Sequence, residues 1–77
     1  MPKNYTSMSN FLLRKEFEDL YKAARQRKLT HTERANLMQL ASVMASHDAI
    51  NHPKPGAELL TPSEKEWLAN KYQIFLG

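Results

Sequence analysis

Two stretches of this chain open in the same way, and that pattern limits its fold more than any other feature. Leu29-Thr30-His31-Thr32-Glu33-Arg34 is followed by Leu37, and Leu60-Thr61-Pro62-Ser63-Glu64-Lys65 is followed by Leu68. Each is a capping box. The threonine oxygen accepts from the amide of the glutamate three residues on, and the glutamate reaches back to the threonine amide. Pro62 strengthens the second box, because a proline at the first helical position loses no needed donor. Two helix starts are therefore fixed. The offset of 31 residues resembles a helical repeat period, but a repeat stack needs at least three units, and any well-capped amphipathic helix can begin this way.

Ahead of the first box, Leu13, Phe17, Leu20, Tyr21 and Ala24 recur at helical spacing. They predict a helix over about 7–28, with Phe11 and Leu12 flanking its start and Thr6, Ser7, Ser9 and Asn10 all able to cap it. Glu18 and Lys22 stand at i,i+4 in the favourable order. The second helix, over about 31–47, carries Leu37, Leu40, Ala41 and Met44 as its apolar stripe, and should fade near Ser46 to Asp48. Residues 48–60 read as a loop, since Asn51-His52-Pro53-Lys54-Pro55-Gly56 concentrates turn residues. The third helix, over about 62–75, has one stripe of Leu68, Tyr72 and Phe75 and a second flank of Trp67 and Ile74.

The expected fold is all-α: a single small three-helix domain over 1–77, a helical hairpin plus a third capped helix after a Pro/Gly loop. Composition agrees. Of 77 residues 42% are hydrophobic, 25% are charged and only two are glycine, which suits a globular helical domain better than a β-rich one. There is no cysteine, so disulfides and cysteine-built zinc sites are excluded. No run approaches the roughly 18 apolar residues of a membrane span, and the first ten residues are polar. A reducing cytoplasm is the expected compartment, without a leader or membrane partner.

Little active-site material can be found. With glycine only at 56 and 77, no phosphate-cradling loop or dinucleotide fingerprint can be written. His47, Asp48 and His52 cluster at a helix end without helix-face spacing, so neither metal nor any cofactor is expected. The chain reads as non-enzymatic.

Two surface features remain. Residues 1–34 carry eight lysines and arginines against four acids, whereas residues 35–77 carry three against four. Lys15, Lys22 and Arg25 share a face of the first helix, while Arg27, Lys28 and Arg34 gather at the turn. This is the distribution of a phosphate-contacting patch, with His31, Thr32, Arg34, Asn36 and Gln39 as candidate base readers on the second helix of a helix-turn-helix. Glu16, Glu18 and Asp19 interrupt that face, and the usual turn glycine is missing. The other feature is apolar surplus. Trp67, Ile74, Phe75 and Met38 either complete the core or form an interface for a protein partner or a second copy. The favoured expectation is a small regulatory or adaptor protein acting by binding another macromolecule, most readily a protein or itself as a homodimer. A DNA-binding helix-turn-helix regulator and a small subunit of a larger assembly are the alternatives.

Overall fold

A computed structural model describes residues 7–76. Its described residues form three helices and no strand: α1 (Asn10–Gln26), α2 (His31–Asn51) and α3 (Pro62–Tyr72). The all-α three-helix expectation holds. The polar N-terminal stretch, including the candidate cap Thr6, lies partly outside the described residues.

α1 begins at Ser9, whose hydroxyl accepts from the Leu12 amide at 3.3 Å. It buries Leu13, Phe17 and Ala24, one residue per turn or two along a single stripe. The chain leaves α1 at Arg27, turns through Leu29 and enters α2 at Thr30. Both predicted capping boxes are present, with the threonine and glutamate hydrogen bonds made in each direction. The echo between them has a packing cause. The leucine before each threonine, Leu29 and Leu60, is buried, and so is the leucine eight residues after it, Leu37 and Leu68. Each helix therefore starts from a core anchor and returns to the core two turns later.

Four boundaries differ from the sequence reading. α1 spans 10–26 rather than 7–28, because Ser9 is the cap used. α2 continues to Asn51, four residues beyond the expected end at 47. Proline pushes the residue before it out of helical backbone, but leaves earlier residues free to stay helical when the proline itself lies beyond the helix end. The helix accordingly persists until His52, which turns left-handed (φ 48°, ψ 58°) directly before Pro53. α3 stops at Tyr72, not 75, at a second left-handed cap, Gln73 (φ 54°).

The longer α2 places Asp48 within a helix, where its carboxylate accepts from the Leu59 and Leu60 amides at 2.9 and 3.0 Å. Those amides precede α3 and would otherwise be costly to bury. The end of the proline loop is thus clamped to α2, and Leu60 is pressed into the core beside Leu37, Leu40, Met44 and Leu68.

A long-range ion pair completes the docking of α3. Arg14 on α1 donates from both terminal nitrogens to Glu64, each at 2.7 Å, and from one of them to the Leu59 carbonyl at 2.8 Å. Its Nε donates to Glu18 at 2.8 Å, so Glu18 serves Arg14 rather than the anticipated Lys22. Glu64 is buried, and it is also the capping residue of α3. Arg27 makes the equivalent fork to Glu33, the capping residue of α2, at 2.9 and 2.8 Å. One arginine near each end of the first helix therefore grips the capping glutamate of another helix.

Candidate functional site

The sequence marks two surfaces, a basic one and an apolar one. The basic surface changes shape once the helices are assembled. Arg25 at the end of α1, Lys28 in the turn, and His31 and Arg34 in the first turns of α2 line one cleft of about 700 Å³, and the last turn of α3 closes it with Lys71 and Tyr72. Charge counting along the sequence misses Lys71, because it lies far beyond Arg34 in the chain and only the folding of α3 brings it here.

The cations of this cleft differ in their partners. Arg27 is neutralised by Glu33. That pairing and the Thr30 amide hold the Glu33 carboxyl down at about 2. Among the described residues, Arg25, Lys28, Arg34 and Lys71 make no ion pair with a carboxylate. Arg25 is steadied by its guanidinium lying over the Tyr21 ring, 5.6 Å from the centroid. Tyr72 is half-buried, and burial pushes its hydroxyl pKa up while the nearby Arg34 charge pulls it down.

The remaining predicted basic residues lie elsewhere. Lys15 and Lys22 are exposed on α1 but do not line the cleft. Of the candidate base readers, His31 and Arg34 line the cleft, whereas Asn36, half-buried, and Thr32 and Gln39, both exposed, do not.

The apolar surface is divided by the packing. Trp67 lies edge-on to Tyr21 at 5.2 Å and to Tyr72 at 6.2 Å, and Tyr21 stacks on Phe17 at 5.3 Å. Trp67, Ile74 and Met38 are half-buried against the core. Phe75 is different, being 90% exposed. With Leu76 it borders a groove of about 540 Å³ along the last turns of α2, which also touches Ala45, Ala49, His52 and Pro53. The second flank of α3 is legible in the sequence, but its cover, Tyr21, sits on another helix.

Among the described residues no three histidine, aspartate or glutamate side chains gather closely enough to hold a metal ion. His47 instead engages Asn51, whose side-chain nitrogen lies 2.7 Å from the His47 ring and donates to the His47 carbonyl at 2.9 Å. Among the described residues no helix is long and apolar enough to cross a membrane. The chain matches no family model, no curated protein and no solved structure.

Proposed function

We propose that this chain is a small non-enzymatic regulatory protein that works by binding another macromolecule, and that the partner is nucleic acid held through its phosphates. The supporting observation is a set of four cations at one end of the molecule, contributed by α1, the turn, α2 and α3, that have no carboxylate partner among the described residues. Exposed cations gathered without carboxylate partners raise the local positive potential and attract anions, and phosphate contacts of this kind supply most of the affinity in non-specific nucleic-acid binding. Anisotropy of labelled mixed-sequence oligonucleotides tests the reading. Binding at low salt that weakens steeply as salt rises supports it. Failure to bind any nucleic acid at low salt contradicts it.

The second reading is an adaptor that docks on a protein or on a second copy, and one observation favours it: the exposed Phe75 beside the α2 groove. The Trp67 flank gives that reading less support, because Tyr21 and Tyr72 pack against the indole. Capture from a nuclease-treated extract, compared between wild type and Phe75→Asp, tests it. A partner retained by the wild type and lost by the variant supports docking, and identical capture by both opposes it.

A further inference from the structure

We infer that the cleft closed by Lys71 is a binding site for the backbone of a single nucleic-acid strand, with Lys71 of α3 as one of its phosphate contacts. The inference rests on the nucleic-acid reading and narrows it in ligand and in residues.

The basic surface is concave. A helix-turn-helix reads duplex DNA by laying an exposed helix in the major groove. Here the first turns of α2 form a wall of a cleft whose opposite side is the end of α3. A duplex keeps its bases paired and stacked, so it can lay a backbone across the mouth of this recess but cannot bring a base into it. A single strand can follow it. Grooves for single strands combine cations that track the backbone with aromatic faces that accept bases. The cleft holds both, since Tyr72 lines it beside Arg25, Lys28, Arg34 and Lys71.

The start of α2 adds backbone donors to the cations. The Thr30 side chain satisfies the Glu33 amide, and the Thr30 carbonyl takes the Arg34 amide. Helix geometry leaves the His31 and Thr32 amides without intrahelical acceptors, and amides so placed favour anions. Thr30 and His31 both line the cleft, so these donors lie at the same end of the molecule as the cations.

Arg27 is committed to Glu33, while Lys15, Lys22, Asn36 and Gln39 lie outside the cleft. The lining side chains able to reach a base edge without carrying a fixed charge include Gln26, Thr30 and His31, set among four cations that have no carboxylate partner among the described residues. Phosphate contacts should therefore carry most of the binding, and its dependence on sequence should be weak.

The test is titration of the full chain with a labelled oligothymidylate and with a duplex of equal length, over a range of salt. Intrinsic fluorescence of Trp67, the sole tryptophan, which abuts Tyr72, gives a second readout. Four single-strand phosphate contacts predict a log–log salt slope of about −2.8, or about 600-fold weaker binding for a tenfold rise in salt. Lys28→Gln with Lys71→Gln, both at exposed positions, should reduce the slope by about 1.4, whereas Lys15→Gln with Lys22→Gln should leave it unchanged. Tighter binding of the duplex, or an equal loss from the Lys15 and Lys22 pair, would overturn the cleft assignment while leaving the nucleic-acid reading intact. No binding of strand or duplex at low salt would overturn both. Saturation of the cleft by poly-glutamate in the absence of any nucleic-acid binding would assign it to an acidic protein segment and also overturn the inference.

Discussion

Replacing Arg14 with methionine isolates the contact that joins α3 to the hairpin. Methionine retains most of the apolar stem and removes the guanidinium. Glu64 then keeps hydrogen bonds from the Thr61 amide and hydroxyl, each 3.0 Å, but loses both terminal nitrogens of the fork. An exposed ion pair contributes about 0–1 kcal/mol, whereas breaking a fully buried one costs about 3–5 kcal/mol. This pair lies between the limits, its side chains being 31% and 9% exposed. The expected loss is about 2–4 kcal/mol, out of roughly 4–12 kcal/mol for a domain of this length. With a urea m-value of about 1 kcal/mol/M, the midpoint should fall by about 2–4 M. A double-mutant cycle separates charge from packing. In the Glu64→Gln variant the amide side chain can still cap Thr61 and carries no charge. Arg14→Met should therefore cost only about 1 kcal/mol in that background. An Arg14→Met cost that is equal in both backgrounds, or below about 0.5 kcal/mol in the wild type, would refute the view that a buried charge is being compensated.

Further outcomes follow from the same geometry. Thr30→Ala and Thr61→Ala should each lower stability by about 0.5–2 kcal/mol in urea melts, through loss of the cap oxygen. Stability should fall in acid. The carboxyls of Glu33 and Glu64 both lie below their ordinary value of 4.5 in the fold; for Glu64, burial pushes up but the bonds from Arg14 and Thr61 outweigh it. A lowered pKa gives stability that is complete above the unfolded value and lost as pH falls through the folded one, so the loss should begin below about 4.5 and continue toward about 2. A pH-indifferent midpoint across that window would contradict it. Phe75→Asp should change stability by less than about 0.5 kcal/mol, whereas Phe17→Ala, at a fully buried ring, should cost about 3–5 kcal/mol.

What could be read from the sequence was local. Capping boxes act over three residues and amphipathic stripes over four, so the starts of α2 and α3 and the core positions Leu13, Phe17, Leu37, Leu40 and Leu68 were legible. The end of α2 was nearly so, since Pro53 marks it, but His47 and Asp48 look like a helix terminus when read alone. Asp48 is polar because it accepts from two amides 11 and 12 residues away, and no periodicity carries that information. The same limit hid the Arg14–Glu64 fork across 50 residues. The candidate site divided in the same way. Charge counting found Arg25, Lys28 and Arg34 because they are neighbours in the chain, and it grouped Lys15 and Lys22 with them because they share a helix. Only the return of α3 adds Lys71 and Tyr72 and turns a basic face into a cleft.

The most direct test of the account is a two-dimensional amide NMR titration of the labelled chain with an oligothymidylate at low salt. Shifts should concentrate at residues 25–34 and 71–72, move progressively with added strand and reverse when salt is raised. Shifts confined to residues 45–53 and 74–76, around the Phe75 groove, or no shifts at all, would contradict it.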